Sequence, residues 1–509
     1  MGLLMAVLAL LGLCLSLLVA YFLTTVIKSQ QYWKNNKIFT LKKSTFLLGH
    51  FGPLITRKKS FAELVYDLYN EVKEEGVDFG GIYQFKRRSL VVNNPELFSE
   101  IMIKRFEHFI NRRPFVDQET DKLLGRSLLG LQNEEWRDMR HNLSPAFTGS
   151  KLRGMIDLIE STCVKFNEFL AHRPDKDEPL DIYNAFRRLA ADIIATSAFG
   201  SPSDAVSNPE SEFYKNGIEI MNFSGKRAPI IIGYLMAPPL MKFLRIPFLP
   251  ANIAEFFSKR IAGIINYREK ENKSRPDMVQ LLIDARKADP TKKITDMDIA
   301  SQAFTFFLGG FDTTATAFSF ISHELARHPE IQSKVRDEIR KVMAENGGKV
   351  NYDGTKELKY MDMVISEVLR LHPAAPMSDR MCESNCSFPD FDLTIEKGTS
   401  IALPIYGLHT DPDYFPDPFK FDPERFNDEN KKNIKPFTYL PFGEGPRNCI
   451  GKRFALLELK LGLCKILNEF ELEVCEKTNV TNPMQYNRKT TLMQPEGGFW
   501  LKIRPVNKE

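Results

Sequence analysis

An uncharged segment at the N-terminus limits the fold of this chain more than any other feature. Residues 2–27 read GLLMAVLALLGLCLSLLVAYFLTTVI and contain no Asp, Glu, Lys or Arg. About 20 apolar residues are enough to cross a bilayer as a helix. A cleaved signal peptide is the alternative, but it would carry a basic residue before a shorter apolar core. The pattern therefore favours an uncleaved transmembrane anchor over residues 1–27.

Basic residues follow the anchor and predict its orientation. Lysines at 28, 34, 37, 42 and 43 come directly after it, together with Tyr32 and Trp33. Positive charge tends to stay on the cytoplasmic side of a membrane, and aromatic side chains favour the interface. We therefore expect Tyr32 and Trp33 at the membrane surface, a linker over residues 28–50, and a cytosolic catalytic domain over residues 51–509. A second apolar segment, 228–257, is interrupted by prolines, and it is either a loop over the core or a patch that dips into the membrane surface.

Composition excludes several classes of protein. Hydrophobic residues make up 43% of the chain and charged residues 26%, which is typical of a globular protein and argues against disorder or multiple membrane spans. The formal net charge of +4 is small for 509 residues, so nothing indicates nucleic-acid binding. Seven scattered cysteines are typical of reduced thiols, and Cys382 and Cys386 have no second pair at the spacing of a zinc site.

One unusually long helix is predicted in the middle of the chain. Thr295 with Asp298 forms a capping-box pattern, and the apolar run that follows continues to Pro329. A helix this apolar is buried on most sides. Its centre nevertheless reads GGFDTT, and both glycine and a buried acid destabilise such a helix. These unfavourable residues in the middle of a buried helix indicate either a functional site or a packing kink with a solvated Asp312.

The fold class is predicted to be mainly α with a small β region. Helical periodicity dominates from about residue 95 to residue 380, and short extended runs with turn residues follow. In the helix KYMDMVISEVLRLHP, Glu367 and Arg370 share one face. Such a pair is commonly a surface ion pair. Apolar neighbours favour burial here, and Arg425 is available as a further partner.

Cys449 lies between a glycine-rich loop and a predicted helix, in the sequence FTYLPFGEGPRNCIGKRFALLE. Glycines at 443, 445 and 451 allow a close approach to the backbone, and the N-terminus of the helix stabilises negative charge on sulfur. A flat ligand has room against this sulfur, and Arg447 is available to pair with an acidic edge of that ligand. The pattern suits a thiolate that ligates haem iron. A buried, inert cysteine in a turn is the alternative.

The residues PFGEGPRNCIG match the F-x-x-G-x-R-x-C-x-G signature of the cytochrome P450 family at Phe442, Gly445, Arg447, Cys449 and Gly451. The resemblance extends over essentially the whole chain, and the stretches NRRPF and LSPAFTGSKL resemble the microsomal, xenobiotic-metabolising branch found in animals, insects in particular. It implies the P450 fold with an N-terminal anchor helix. One departure is the sequence LKKSTFLLGHFGPLI, which replaces the usual proline-rich hinge after the anchor and leaves the orientation on the membrane open.

The resemblance also implies roles for particular residues. The segment GGFDTT resembles the family's oxygen-activation segment, so Asp312 and Thr313 are expected to deliver protons, and Gly309 and Gly310 to leave room for dioxygen. Glu367, Arg370 and Arg425 resemble the family's structural triad. Cys449 is expected to ligate the iron of haem b. The other residues expected to bind this cofactor are Arg112, Trp136, Arg140, Gly309, Arg380, Phe442 and Arg447.

The implied function is a monooxygenase that inserts one atom of O₂ into lipophilic small molecules, either xenobiotics or endogenous terpenoids and steroids. No dinucleotide fingerprint precedes a helix here, so the electrons are expected from NADPH through a separate P450 reductase, with cytochrome b5 as a second donor. Arg137, Lys452 and Arg453 could attract such an acidic partner. The expected location is the endoplasmic reticulum membrane. The alternatives are a haem-thiolate isomerase or dehydratase of peroxides, and a non-catalytic haem sensor or carrier.

Aromatic and apolar residues are predicted to line the substrate pocket, because such walls suit lipophilic molecules. Core packing explains many of the same side chains equally well. The predicted pocket residues are Phe109, Phe115, Phe304, Phe307, Phe311, Ala374, Met377, Leu492 and Met493.

Overall fold

The computed structural model describes residues 2–114, 116–201, 203–223, 225–288, 294–490 and 492–506. Most of these residues are helical, as predicted. The α-helices in chain order are α1 Gly2–Asn35, α2 Gly52–Ile55, α3 Phe61–Glu74, α4 Pro95–Ser99, α5 Lys122–Gly125, α6 Asn133–Leu143, α7 Gly149–Arg153, α8 Ile156–His172, α9 Ile182–Ile194, α10 Glu212–Met221, α11 Ala228–Met236, α12 Pro238–Phe243, α13 Ala251–Lys270, α14 Met278–Ala288, α15 Asp296–Arg327, α16 Pro329–Glu345, α17 Lys359–Leu371, α18 Ile405–His409 and α19 Lys452–Glu469.

Short strands form the small β region that the sequence predicts. They are β1 Phe79–Gln84, β2 Arg87–Val92, β3 Leu180–Asp181, β4 Ser378–Met381, β5 Cys386–Phe388, β6 Leu393–Ile395, β7 Ser400–Leu403, β8 Phe470–Glu473 and β9 Trp500–Pro505. Two π-helical stretches, Glu100–Lys104 and Ala195–Phe199, continue α4 and α9. The 3₁₀ turns are Phe106–Phe109, Ser144–Phe147, Gly225–Arg227, Gly354–Lys356, Pro389–Phe391, Pro423–Phe426 and Asn430–Asn433. The mainly α fold with a small β region is confirmed.

The chain divides into two compact units. The first contains residues 1–113 and 376–408, and the second contains residues 114–375 and 409–509. In the first unit the four-stranded sheet has the order β1-β2-β7-β4, and β5 pairs with β6 in a separate two-stranded sheet. The helix α3 packs on the larger sheet, because Leu64, Leu68 and Val72 repeat at helical spacing and bury against Ile82 and Val91.

The segment predicted as a linker, 28–50, is instead packed on the first unit. The helix α1 continues to Asn35, beyond the apolar run. The backbone N–H of Gly81 donates to Phe39 O at 2.7 Å, and Leu41 N–H donates to Gly81 O at 3.1 Å. Trp33 is only 3% exposed, because its indole packs against β1, so the protein and not lipid covers this side chain.

The second unit is built around α15. Its predicted capping box is present: Thr295 Oγ1 accepts from Asp298 N–H at 3.1 Å, and Asp298 Oδ2 accepts from Thr295 N–H at 2.9 Å. The helix ends at Arg327, two residues before Pro329. It packs against α5, α9, α13 and α17, which explains its apolarity on nearly every face.

The C-terminal strand β9 pairs with two strands from other parts of the chain. Strand β9 forms a three-stranded sheet with β3 and β8, and a single antiparallel bridge joins Tyr486 to Pro495. Strand β9 therefore pairs mainly with β8, the strand that directly follows α19.

Candidate functional site

The loop before α19 turns back on itself to present Cys449. Gly443 and Gly445 have φ values of +67° and +72°, a region that side-chain-bearing residues rarely adopt. The loop closes where Cys449 N–H donates to Phe442 O at 2.8 Å. A Cβ at Gly451 would lie 4.0 Å from Cys449 Sγ, an ordinary van der Waals distance. The two glycines with positive φ therefore shape the loop, and Cys449 is exposed within it.

The environment of Cys449 differs from that of most other described cysteines. Cys449 is exposed, whereas Cys163, Cys382, Cys386 and Cys464 are buried. Burial raises the pKa of Cys382 to about 11 and that of Cys464 to about 12, so these thiols stay protonated at neutral pH. Cys449 lies three residues before α19 begins, where the partial positive charge of a helix N-terminus favours a thiolate.

Two arginines and a tryptophan surround the same loop in the second unit. The Arg447 guanidinium lies 3.7 Å from the ring centroid of Trp136, which holds it by a cation–π contact. Arg140, one helical turn after Trp136 on α6, donates through Nη2 to Asn448 Oδ1 at 2.7 Å. The pattern W-x-x-x-R thus brings both side chains to the residues just before Cys449.

The first unit holds two neighbouring arginines, Arg112 and Arg380. The Arg380 side chain is buried, and no hydrogen-bond partner of its Nε is present in the described part of the chain. Burial, together with the charge of Arg112, lowers the pKa of Arg380 to about 9. The negative charge of Asp379 opposes this shift only in part, so a further anion would stabilise the buried cation. This pair therefore suits an anionic group of a ligand.

The residues fit a haem group. In the second unit, the accessible Cys449 thiol suits an iron ligand, and the arginines at 140 and 447 suit the acidic edges of the group. Phe442 belongs to the same loop, where its carbonyl accepts from Cys449 N–H and its ring lies 5.7 Å from Lys452 Nζ.

Glu367, Arg370 and Arg425 come together in the second unit. Glu367 and Arg370 are completely buried and form a bidentate pair, with Nε and Nη2 each 2.7 Å from a carboxylate oxygen. Arg425 Nε lies 3.4 Å from Glu367 Oε1. Arg370 Nη1 also donates to the carbonyls of His409 and Pro418, at 2.7 and 2.8 Å. The remaining hydrogen-bonding capacity of the pair is therefore satisfied, as burial of two charges requires.

His409 connects this pair to the cysteine loop, and the sequence analysis missed it. Burial lowers the pKa of His409 to about 3, so the ring is neutral. Its Nε2 then accepts from Leu440 N–H at 2.7 Å, and its Nδ1–H donates to Arg370 O at 3.1 Å. Leu440 precedes Phe442 by two residues. A histidine in a loop carries no spacing signal, so only the folded chain identifies this contact.

Asp312 and Thr313 point to different sides of α15. The buried carboxylate of Asp312 accepts at Oδ1 from Tyr183 Oη at 2.7 Å and from Arg187 Nε at 2.6 Å, both on α9. The Thr313 hydroxyl donates to the carbonyl of Gly309 one turn earlier. No hydrogen bond joins Asp312 to Thr313 among the described residues, so their expected shared role in proton delivery does not rest on direct contact. Sequence analysis also missed Tyr183 and Arg187, because neither lies in a motif.

Of the two glycines predicted to leave room beside α15, only Gly309 does so. We call the side of α15 at Gly309 its open side. Gly309 is exposed, and a Cβ there would meet nothing within 4 Å, whereas a Cβ at Gly310 would lie 2.9 Å from Ile194. Gly309 therefore leaves space on this side, and Gly310 instead permits close packing against α9. Leu308 and Thr313 are partly exposed on the open side.

Several predicted pocket residues belong to the packed core instead. Phe304, Phe307 and Phe311 are 0% exposed, so none of them lines a water-sized cavity. Their rings pack among Phe199, Phe213, Phe257 and Tyr214. In the first unit Phe109 is also 0% exposed and packs 6.0 Å from the ring of Phe388. Helical spacing alone does not distinguish a core face from a pocket wall.

The remaining predicted pocket residues differ in exposure. Ala374 and Leu492 are partly exposed in the second unit, and Met493 is buried there. Met377 is partly buried against the core of the first unit. Phe115 lies outside the described residues.

Comparisons with known proteins bear on the family of this chain. The family model described as Cytochrome P450 matches residues 45–502. Cytochrome P450 9e2 of Blattella germanica is 40% identical, covering 96% of each chain. Probable cytochrome P450 9f2 of Drosophila melanogaster is 35% identical over 91% of this chain and 93% of the relative. Cytochrome P450 6k1 of Blattella germanica is 33% identical over 96% of this chain and 95% of the relative.

Proposed function

Because this chain belongs to the cytochrome P450 family and is a haem monooxygenase, we propose that Cys449 is the protein ligand of its haem iron. The accessible Cys449 thiol in its glycine-rich loop is the single observation that carries the assignment. When bound, haem supplies the redox chemistry that inserts an oxygen atom into a substrate. Trp136, Arg140 and Arg447 would hold the acidic edges of the group. The same role stays a prediction for Arg112 and Arg380 of the first unit.

We further propose that Thr313 and Asp312 share proton delivery without direct contact. Thr313 Oγ1 lies on the open side of α15, beside the space left by Gly309, and delivers its proton when it turns away from the Gly309 carbonyl to which it donates at rest. The bonds from Arg187 and Tyr183 both reach Asp312 Oδ1, so Oδ2 is the oxygen that can exchange a proton with water. In this proposal the α9 residues are positioning residues, because they act through Asp312.

Thr313→Ala should uncouple NADPH consumption from product formation. Removing the hydroxyl removes a proton donor on the open side, and general acid catalysis of this kind contributes about 10²–10⁴-fold. We expect NADPH oxidation to continue while product per NADPH falls at least about tenfold. Both quantities are measured in the same reconstituted reaction. The control is Thr305→Ala, because this hydroxyl donates to Ser301 O at 2.7 Å on the same helix but is buried. Equal coupling in wild type and Thr313→Ala would contradict the assignment.

Arg187→Leu should destabilise the protein far more than Arg188→Leu. The Arg187–Asp312 pair is nearly buried, with side-chain exposures of 14% and 4%, and removing one partner leaves an uncompensated charge. Breaking a buried pair costs about 3–5 kcal/mol. Arg188 makes cation–π contacts with Phe169 and Tyr214, worth about 0.5–1 kcal/mol at a partly exposed site. Urea unfolding of the holoenzyme measures both. Adding Asp312→Asn to Arg187→Leu should restore part of the loss; equal losses in the two single variants would exclude the pair.

The substrates are proposed to be lipophilic small molecules, either xenobiotics or endogenous terpenoids and steroids. The apolar character of the side chains beside Gly309, such as Leu308, supports this class. Electrons are proposed to come from NADPH through a P450 reductase, with cytochrome b5 as a second donor. Arg137 follows Trp136 on α6, and Lys452 and Arg453 are the first two residues of α19. Their positive charge suits an acidic partner.

Reconstitution tests the proposed activity. The full chain is combined with a P450 reductase, NADPH and a panel of terpenoids, steroids and synthetic toxicants, and product carrying one oxygen atom from ¹⁸O₂ is measured by mass spectrometry. Product that depends on both NADPH and the reductase supports the proposal. Turnover of organic peroxides without reductase, and no labelled product, would instead identify an isomerase or dehydratase.

The location is proposed to be the endoplasmic reticulum membrane, with the catalytic domain in the cytosol. In the described part of the chain, one helix, within Leu4–Asn35, is long and apolar enough to cross a membrane. The lysines that follow it support the cytosolic orientation. Protease added to intact microsomes should degrade the body of the protein; protection until detergent is added would reverse the orientation.

A further inference from the structure

The helix α1 does not end where its apolar sequence ends. The uncharged run stops at Ile27, but α1 continues to Asn35, and the first proline of the chain is Pro53. Sharp bends in helices arise mainly at proline, at glycine or where the hydrogen-bond ladder is interrupted. Nothing of that kind lies between Gly12 and Asn35 in the sequence. The helix therefore passes without a break from its apolar part to its polar part.

One face of the last turns of α1 is buried on the sheet of the first unit. Val26 is 0% and Trp33 3% exposed, and they share a face with Ser29 because they are spaced by three and four residues. Ser29 Oγ donates to Lys86 O in the turn after β1, and Trp33 Nε1 donates to Ile82 O at 3.2 Å. Gln31, on another face, is exposed. Hydrogen bonds and apolar burial together hold this face in one register.

The sheet is shaped to receive the helix. A Cβ at Gly81 would lie 2.3 Å from Trp33 Cγ, so the indole occupies space that only glycine leaves open. Next to it, the Arg88 guanidinium lies 3.9 Å from the ring centroid of Tyr32 and is paired with Glu396 at 3.0 Å. Residues from β1, β2 and the loop before β7 thus all contribute to the contact.

The length of the remaining apolar part matches a bilayer. Tyr21 is 70% exposed, whereas the docked face begins with the partly buried Phe22. Residues 2–21 span about 30 Å as a helix at about 1.5 Å per residue. The hydrocarbon core of a bilayer is also about 30 Å thick. The last apolar residues, 22–27, are therefore not needed to cross it.

We propose that the hydrocarbon boundary lies at Tyr21 and that Phe22–Asn35 is a rigid strut docked on β1 and β2. Ser29 is about 12 Å along the helix from Tyr21, so the turn at Lys86 is held close to the lipid headgroups. A flexible linker would let the first unit rotate freely on the membrane. The docked helix instead fixes the distance and the orientation of this unit relative to its anchor.

Hydrogen–deuterium exchange of the full-length holoenzyme in phosphatidylcholine–phosphatidylserine nanodiscs tests the proposal. An undocked helix of about eight residues is unstable in water, so its amides would exchange rapidly. We expect amides 28–35 to exchange at least about a hundredfold more slowly than an unstructured chain. Rapid exchange of amides 28–35 in the wild type would overturn the docking.

Two variants break the contact from opposite sides. Trp33→Ala removes the indole, and Gly81→Ala inserts a Cβ into its space. Each should speed exchange of amides 22–35 at least about tenfold and leave amides 2–21 protected by lipid. Gln31→Ala on an exposed position of α1 is the matched control and should change neither. The reduced carbon monoxide spectrum establishes that the body of each variant is folded.

A separate exchange pattern would contradict the proposed position of the hydrocarbon boundary. If amides 22–27 stay protected in Trp33→Ala while amides 28–35 become exposed, lipid covers residues 22–27, and the boundary at Tyr21 is wrong. If both variants leave amides 28–35 protected, the contact between Trp33 and Gly81 does not hold the helix.

Discussion

Cys449→Ser abolishes the long-wavelength Soret band of the reduced carbon monoxide complex and lowers monooxygenase activity to below about 1% of wild type. That band would depend on a thiolate ligand of the haem iron, and a serine hydroxyl in the same loop does not donate electron density as a thiolate does. A hundredfold loss corresponds to about 2.7 kcal/mol of transition-state stabilisation. The loop should still form, because its closure uses backbone groups of Phe442 and Cys449. Absorption spectra and turnover measure the two effects.

Cys475→Ser is the matched control for this change. Cys475 is the partly exposed cysteine of the second unit, outside the glycine-rich loop, and its sulfur lies 3.6 Å from Trp500 O. We expect the carbon monoxide spectrum and the activity of this variant to match those of the wild type. A wild-type spectrum in Cys449→Ser would show that another side chain ligates the iron, and the assigned site would have to be abandoned.

Glu367→Gln should yield protein that is mostly free of haem. The Glu367–Arg370 pair is 0% exposed, and the neutral amide leaves the buried guanidinium without its counter-charge. Breaking a buried pair costs about 3–5 kcal/mol, a large part of the total stability of a domain. Arg370 also bonds the His409 carbonyl, and His409 holds the backbone at Leu440. Loss of this ion pair is therefore expected to disturb the backbone of the loop that carries Cys449. The ratio of haem to protein and the urea unfolding midpoint measure this.

A surface glutamate–arginine pair with the same i, i+3 spacing provides a matched control for Glu367→Gln. Glu134 and Arg137 form another E-x-x-R pair, but their atoms are 3.7 Å apart and their side chains are 72% and 43% exposed. Surface pairs contribute about 0–1 kcal/mol, so Glu134→Gln should leave haem content unchanged. If the two variants behaved alike, burial would not be what distinguishes the first pair.

Sequence reasoning succeeded where a feature is encoded by neighbours in the chain. The limits of α15 follow from the Thr295 capping box and Pro329, and the turn before α19 follows from glycines that tolerate positive φ. The family signature around Cys449 is likewise a local pattern. Local patterns do not specify which face of a helix meets which neighbour. The predicted pocket phenylalanines at 304, 307 and 311 illustrate this, because the same spacing suits a core face.

The sequence alone determined the mainly α fold, the long central helix, the apolar anchor and the thiol of Cys449, since each depends on composition or on short-range spacing. Only the tertiary structure decided that Asp312 pairs with Arg187 and that Trp33 docks against Gly81. These partners lie far apart in sequence. Their contacts follow from how α9 packs on α15 and how α1 packs on β1, which depends on side-chain shape and burial over the whole unit.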